Sequence, residues 1–437
     1  MLNILLGVVT FILCLYLVSK LVIRLGLKLP FKFVGLAFLV RVLAGVALTA
    51  VYTYYYPERT LADTFRYFDD SYFLHQLLLE NPTDYFQVMV GVKSEVRESI
   101  PLLEAMTNWF PALRSPMYND NRTVIRINAI MRLFSFGSYY VHLCLFALMG
   151  FVGQIYVYKA FQKYFLGKEV LFALAVFLVP SLVFWTSGIL KEGPLFLALG
   201  LLLFVMEKGS RDKFSNKYKV LVVLLFLFLF HMKFYVGLML VPVFTLYWIF
   251  NKWQLVKRWK LVLCNYGAYF LMAIVWHFIR FKWSLFTVFK WKKKDFQGLA
   301  KSMDAKSLID TYDLEDNALS FLVNIPQGLF NALFRPSIWE AYSPLILMNA
   351  IENMLLLGFM GLCFYFRKRV RLSEMSLYFL IYSITLLIVV GMVTPIMGSL
   401  VRYKIPALPF LLMFFISIVD VDRLKKGIPL LNGFKKI

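Results

Sequence analysis

Apolar runs of about 15–23 residues recur along the whole chain, as at 2–23, 33–56 and 375–393, and their length decides the fold class. A helix of that length crosses the hydrocarbon of a bilayer, whereas the strands of a membrane barrel need only about 10 residues. The runs predict an all-α, polytopic transmembrane protein. Composition agrees: 60% of the 437 residues are hydrophobic, 44 are Phe and only 16% are charged, against about 25% in an ordinary soluble domain.

The expected spans are 2–23, 33–56, 139–161, 170–186, 189–206, 219–231, 235–250, 261–281, 344–366, 375–393 and 407–421, about eleven in all. Several are short enough to be half-spans meeting at a polar site. The first lacks a basic leader and a small-residue cleavage site and reads as a retained helix. Six basic clusters fall between spans: Arg24/Lys28/Lys32, Lys159/Lys163/Lys168, Lys208/Arg211/Lys213/Lys217/Lys219, Lys252/Lys257/Arg258/Lys260, Arg367/Lys368/Arg369/Arg371 and Arg423/Lys425/Lys426. An outside N-terminus puts all six in the cytoplasm, as the positive-inside rule requires. The net charge of +22 is therefore read as topology, not as nucleic-acid binding.

The chain divides into N-terminal helices (1–56), a first extracytoplasmic loop (57–137), a central bundle (138–281), a second loop (282–343), and C-terminal helices with a basic tail (344–437). Loops this long are usually functional or disordered. The aromatics of the first (Tyr67, Phe68, Tyr72, Phe73, Tyr85, Phe86, Trp109, Phe110) predict folding against the membrane surface through short amphipathic helices.

Four polar inserts interrupt the apolar pattern: 185–192 with Lys191 and Glu192, 230–235 with Lys233, 334–340 with Arg335 and Glu340, and 401–404 with Arg402, Tyr403 and Lys404. All four fall on the extracytoplasmic side of the predicted topology. Ionisable groups near hydrocarbon are costly, by about 2.5–3.5 kcal/mol at a helix centre, so this one-sided recurrence points to a site for an anionic, lipid-borne substrate. Snorkelling to the interface is the structural alternative for Lys233. Glu352, within an apolar helix, needs a partner, and Arg335 and Arg402 are the expected ones.

The first loop supplies carboxylates: Asp63, Asp69 and Asp70 lie within eight residues, with Tyr67 one turn from Asp63. A carboxylate there is a candidate to take a proton from an acceptor hydroxyl; a solvated helix start with an Arg66–Asp70 pair is the alternative. Arg122 and Arg126, one turn apart, suit bidentate contact with a phosphodiester or pyrophosphate, or with lipid phosphates in general. The run Lys290, Trp291, Lys292, Lys293, Lys294 reads as a solvated or lipid-surface face. Four dispersed His and four Cys without paired spacing indicate neither a metal site nor a disulfide scaffold, and no phosphate-binding glycine loop is present. No cofactor is called for, though a divalent cation is compatible with the acidic loop.

The acidic loop with its tyrosines (Asp63, Tyr67, Asp69, Asp70, Tyr72), the basic breaks, and the return through Arg402, Tyr403, Pro406 and Pro409 together resemble the GT-C superfamily of integral-membrane glycosyltransferases, which use polyprenyl-phosphate sugars. The segment 180–192 is also similar to one in bacterial envelope proteins often placed beside polysaccharide polymerases. The acidic loop departs from the GT-C pattern in following the second span rather than the first. The resemblance implies a bacterial inner-membrane enzyme that transfers sugar on the extracytoplasmic face to an envelope glycan, lipid or protein. Its partners would be membrane lipids, a polyprenyl-linked sugar or glycan, and envelope-biosynthesis proteins. Asp63, Asp69 or Asp70 would act as base or acceptor-orienting group, and Lys191, Lys233, Arg335 and Arg402 would bind the leaving phosphate. A polymerase or ligase using a polyprenyl-pyrophosphate glycan, and a lipid-glycan flippase, are the alternatives.

Overall fold

The computed structural model of the chain describes residues 2–56, 58–92, 100–109, 119–209, 215–252, 258–280, 283–302, 307–368 and 372–427. Arg211, Lys213, Lys257, Arg369 and Arg371 of the basic clusters, and Phe110 of the first loop, lie outside these residues.

Among the described residues the structure is helical, with two isolated bridges and no strand. Six helices are long and apolar enough to cross a membrane: Leu2–Arg24, Phe31–Tyr55, Tyr139–Tyr164, Trp259–Ile279, Pro344–Tyr365 and Glu374–Val393. Met397–Lys404 and Leu408–Ile418, bent by 59° at their junction, make a seventh if taken as one broken span. The expected run 170–186 is instead two short helices, Glu169–Phe177 and Pro180–Trp185. Pro180 explains the break, because it has no amide hydrogen to continue the earlier helix and suits the first turn of a new one.

Two close helix crossings hold the bundle together. Tyr139–Phe161 packs along Glu192–Gly209, where a Cβ on Gly200 would overlap the Gly153 carbonyl and one on Gly153 the Phe196 carbonyl. Ala318–Phe334 packs along Glu374–Val393, where a Cβ on Gly391 would overlap the Gly328 carbonyl. Where lipid removes the usual hydrophobic drive, helices associate by such close backbone approach at small residues.

The second crossing alters the reading of 282–343. This stretch, expected to be a loop, holds the helices Leu285–Ser302 and Ala318–Phe334. The second is apolar enough to pack into the bundle despite Pro326 within it. Asn317 starts it, its side chain accepting a hydrogen bond from the Ser320 amide at 2.8 Å, a common N-cap arrangement.

In the first loop, Asp63–Glu80 and Asn121–Ser135 pack together, stapled by Arg132. Its guanidinium donates to Ser71 Oγ at 2.7 Å and the Phe68 carbonyl at 2.6 Å, and lies 4.2 Å from the Phe68 ring. These two helices thus form a folded element, tied to Tyr139–Phe161 by the Ser135 Oγ–His142 Nε2 bond at 2.8 Å.

Gly391→Val is expected to lower stability by about 1–3 kcal/mol or more, as overpacking does. Gly358→Ala, where a new Cβ meets nothing within 4 Å, should be neutral or stabilising. Thermal unfolding of the two variants in detergent checks the contrast.

Candidate functional site

The buried carboxylate of Glu192, fully inaccessible to solvent, lies where three of the four inserts meet. Arg402 grips it with two parallel bonds, Nε to Oε1 at 2.8 Å and Nη2 to Oε2 at 3.0 Å. Lys233 Nζ donates to the same Oε1 at 2.7 Å. The third guanidinium nitrogen, Arg402 Nη1, reaches Asp63 Oδ2 at 2.9 Å. Residues far apart in sequence therefore share one ionic cluster of Asp63, Arg402, Glu192 and Lys233.

Local structure explains why these groups converge. Glu192 opens the helix Glu192–Gly209, a position where the helix dipole favours an anion. Lys233 sits at the break between Asn216–Met232 and Phe234–Lys252, and Arg402 is in the short helix Met397–Lys404. The insert itself is held from behind by Arg41, buried in the second long helix. Arg41 bonds Thr186 Oγ1 and Gln154 Oε1 and lies 5.6 Å from the Phe151 ring. A Cβ on Gly45 would come within 2.7 Å of the Ser187 carbonyl and one on Gly150 within 2.8 Å of the Thr186 carbonyl, so glycine lets both helices approach the insert's backbone.

Aromatic rings wall the cluster. Lys233 Nζ is 4.3 Å from the centre of the Tyr403 ring and Arg402 is 5.4 Å from that of Trp185. Tyr403 stacks on Tyr235 at 5.8 Å and meets Phe296 edge-on at 5.3 Å. Such faces favour cations and strengthen nearby charge interactions by excluding water.

Lys191 does not pair with its neighbour Glu192. Its Nζ reaches Asp120 Oδ2 at 2.7 Å, just ahead of the helix Asn121–Ser135. Lys292, from the run expected to face solvent or lipid, senses the charges of Asp120 and Lys191. Burial pushes its ammonium below the usual range, opposed by Asp120 and reinforced by Lys191. Asp120 and Lys292 were not legible as site residues; the only sequence signal was an Asn-Asp pair before an amphipathic stretch.

The fourth insert joins by another route. Lys404 Nζ donates to the carbonyls of Ala332 and Arg335, both at 3.1 Å, and to Asn353 Oδ1 at 2.9 Å. The Arg335 side chain pairs with Glu340, Nε to Oε1 at 3.3 Å. Neither Arg335 nor Arg402 is the partner of Glu352. Both Glu352 carboxylate oxygens instead accept the Ser181 amide at 3.0 Å, where the start of Pro180–Trp185 leaves an unsatisfied donor.

The three loop aspartates are separated by environment. Asp69 is bound to Arg59 by two bonds, at 2.9 and 2.8 Å, on an exposed surface. Asp70 is buried and accepts the amides of Thr107 at 2.9 Å and Asn108 at 2.7 Å, while Arg66 bonds Thr107 rather than Asp70. Burial raises the Asp70 carboxyl above the ordinary range, opposed by those amides. Only Asp63 touches the cluster, and its side chain remains 36% exposed. Tyr67 is buried and donates to Asn121 Oδ1 at 2.8 Å, with its phenol pushed well up chiefly by burial. Arg122 and Arg126 flank the Trp109 ring at 5.3 and 5.1 Å and bond the carbonyls of Trp109 and Val88, each at 3.1 Å. Among the described residues no group of three or more His, Cys, Asp or Glu is arranged to hold a metal ion.

Compared with family models, curated proteins and solved structures, the chain matches none. What defines it is an all-helical architecture with membrane-length apolar helices and a buried ionic cluster at the meeting of helix breaks.

Glu192→Ala leaves two buried cations without their anion and is expected to cost about 3–5 kcal/mol. Glu340→Ala, which removes a partly exposed pair and a bond from the Ser337 amide, should cost less, about 1–2 kcal/mol; unfolding in detergent compares them. Asp70 should also show a pH signature. Its raised carboxyl favours the folded state below the ordinary value of 3.8, and this contribution is lost as pH rises through the folded value. The wild type should therefore lose stability relative to Asp70→Asn as pH rises above 3.8, and parallel melting curves across that range would contradict this.

Proposed function

We propose that the protein is an extracytoplasmic glycosyltransferase of the bacterial inner membrane, moving a sugar from a polyprenyl-phosphate donor to an envelope acceptor. The observation that carries this reading is the Asp63–Arg402 contact at 2.9 Å. It puts a partly open carboxylate beside a fixed guanidinium, with a second, largely buried cation, Lys191, held by the Asp120 pair.

The unequal burial of the Arg402 partners suggests how the pair works. Glu192 is sealed and holds two of the guanidinium nitrogens, whereas Asp63 is partly open and holds one. A donor phosphate reaching the cluster competes for Nη1, the weaker grip, and not for the bidentate one. Arg402 then faces the phosphate and Asp63 is released to accept a proton. The acceptor hydroxyl gives that proton to Asp63 while its oxygen bonds to the anomeric carbon. The bond from that carbon to the phosphate oxygen breaks, and the electron pair leaves with the phosphate. Arg402 and Lys191 stabilise the charge developing there, the point at which fixed cations assist most. Glu192 and Lys233 hold Arg402 in place.

Of the three loop aspartates this reading selects Asp63. Asp63→Asn is expected to reduce turnover of a polyprenyl-phosphate sugar about 10²–10⁴-fold, the range for loss of a general base, and Asp69→Asn to stay within a few-fold of wild type. Full activity in Asp63→Asn removes the base assignment. Cleavage of a polyprenyl-pyrophosphate glycan in place of the monophosphate donor would reassign the protein as a polymerase or ligase. Movement of lipid-linked glycan across vesicles without donor cleavage would make it a flippase.

A further inference from the structure

Two cavities that take no part in the ionic cluster share a wall formed by Met375 and Phe379. The first encloses about 590 Å³ of free space, its mouth included, among apolar side chains such as Phe161, Leu203, Leu240, Val243, Phe244 and Phe410. The charged residue in its lining, Glu207, is neutralised by Lys163. The second encloses about 690 Å³, mouth included, and is chemically mixed, with Lys368, Ser373, Ser376 and Ser417 beside Phe165 and Ile418.

The mixed chamber carries the features of an anion site. The hydroxyls of Ser373, Ser376 and Ser417 form a chain with 2.7 Å between neighbours. Ser373 caps the start of Glu374–Val393, the end of a helix where the dipole favours negative charge. Lys168 stands behind the chamber, donating to the carbonyls of Ile416 at 2.7 Å and Ser417 at 2.8 Å. These bonds use two of the three ammonium protons. Burial and then the neighbouring Lys368 charge lower the Lys168 ammonium to about 8. Two carboxylates stand against these cations: Asp420 faces Lys168 and is within 3.8 Å of Arg423, and Glu374 is the first residue of the helix that Ser373 caps.

A polar chamber with a cation in its lining, set against an apolar one across Met375 and Phe379, has the chemistry of a phosphate joined to an aliphatic chain. We infer that the paired cavity binds one anionic phospholipid of the surrounding bilayer, its phosphate against Lys368 and the serine hydroxyls and one chain in the apolar chamber. The site lies at the start of Glu374–Val393, whereas the Arg402 segment follows that helix's other end. It is independent of the proposed transfer reaction.

Binding to the delipidated full chain, followed by native mass spectrometry, tests the inference. The probes are dioleoyl phosphatidylglycerol, dioleoyl phosphatidylcholine and glycerol 3-phosphate. Wild type should prefer phosphatidylglycerol over phosphatidylcholine. Lys368→Gln, at an exposed position, should weaken phosphatidylglycerol binding about five-fold, as expected for one basic residue at a lipid surface, and weaken phosphatidylcholine less, because its choline offsets the phosphate charge. Met375→Trp, which fills the shared wall, should weaken both lipids. The inference is overturned if the two lipids bind wild type equally, if the preference survives Lys368→Gln, or if glycerol 3-phosphate binds as tightly as the lipid.

Discussion

The Glu192 carboxylate and its two cations are the constraint around which the structure is arranged. A buried carboxylate alone would be neutralised or expelled, because removing a charge from water costs several kcal/mol even after relaxation. Arg402 and Lys233 offset that cost together, and their geometry dictates what surrounds them. Arg402 reaches it from the short helix Met397–Lys404, Lys233 from a break between two helices, and the insert carrying Glu192 is backed by the Arg41 clamp and the glycines behind it.

The cluster also reassigns the basic inserts. Lys233 and much of Arg402 are committed to Glu192, Lys404 to backbone carbonyls and Asn353, and the Arg335 side chain to Glu340. The positive charge of the cluster that meets a partly exposed carboxylate is narrower than a count of four breaks implies. It consists of one Arg402 nitrogen facing Asp63 and the Lys191 ammonium facing Asp120.

What the sequence made legible follows from which forces are local. Apolar run length marked the long helices, because bilayer crossing is a property of a segment. Polar breaks at 191–192, 233 and 402 stood out, since a charge in an apolar run is costly wherever it points. Pairing was not legible. Lys191 lies beside Glu192 in sequence yet meets Asp120, and Glu352 meets a backbone amide, because partners are set by how helices cross. Helix Ala318–Phe334 escaped notice because its apolar pattern is short and carries Pro326, and its place in the bundle depends on tertiary contacts such as Gly328 against Gly391 and Lys404 on the Ala332 carbonyl. Lys292 was hidden in a basic run that looked like an ordinary solvated face.

The Asp63–Arg402 contact joins residues 339 positions apart, and this separation has a consequence for synthesis. A ribosome completes Asp63, Glu192 and Lys233 long before it reaches Arg402. In the interval Glu192 has one cation where the finished protein gives it two, and Asp63 has lost its partner altogether. Insertion of the last helices is then also the step that completes the ionic cluster. Assembly of the bundle and assembly of the site become a single event, so a chain halted before that point carries its long helices without a finished charge pattern.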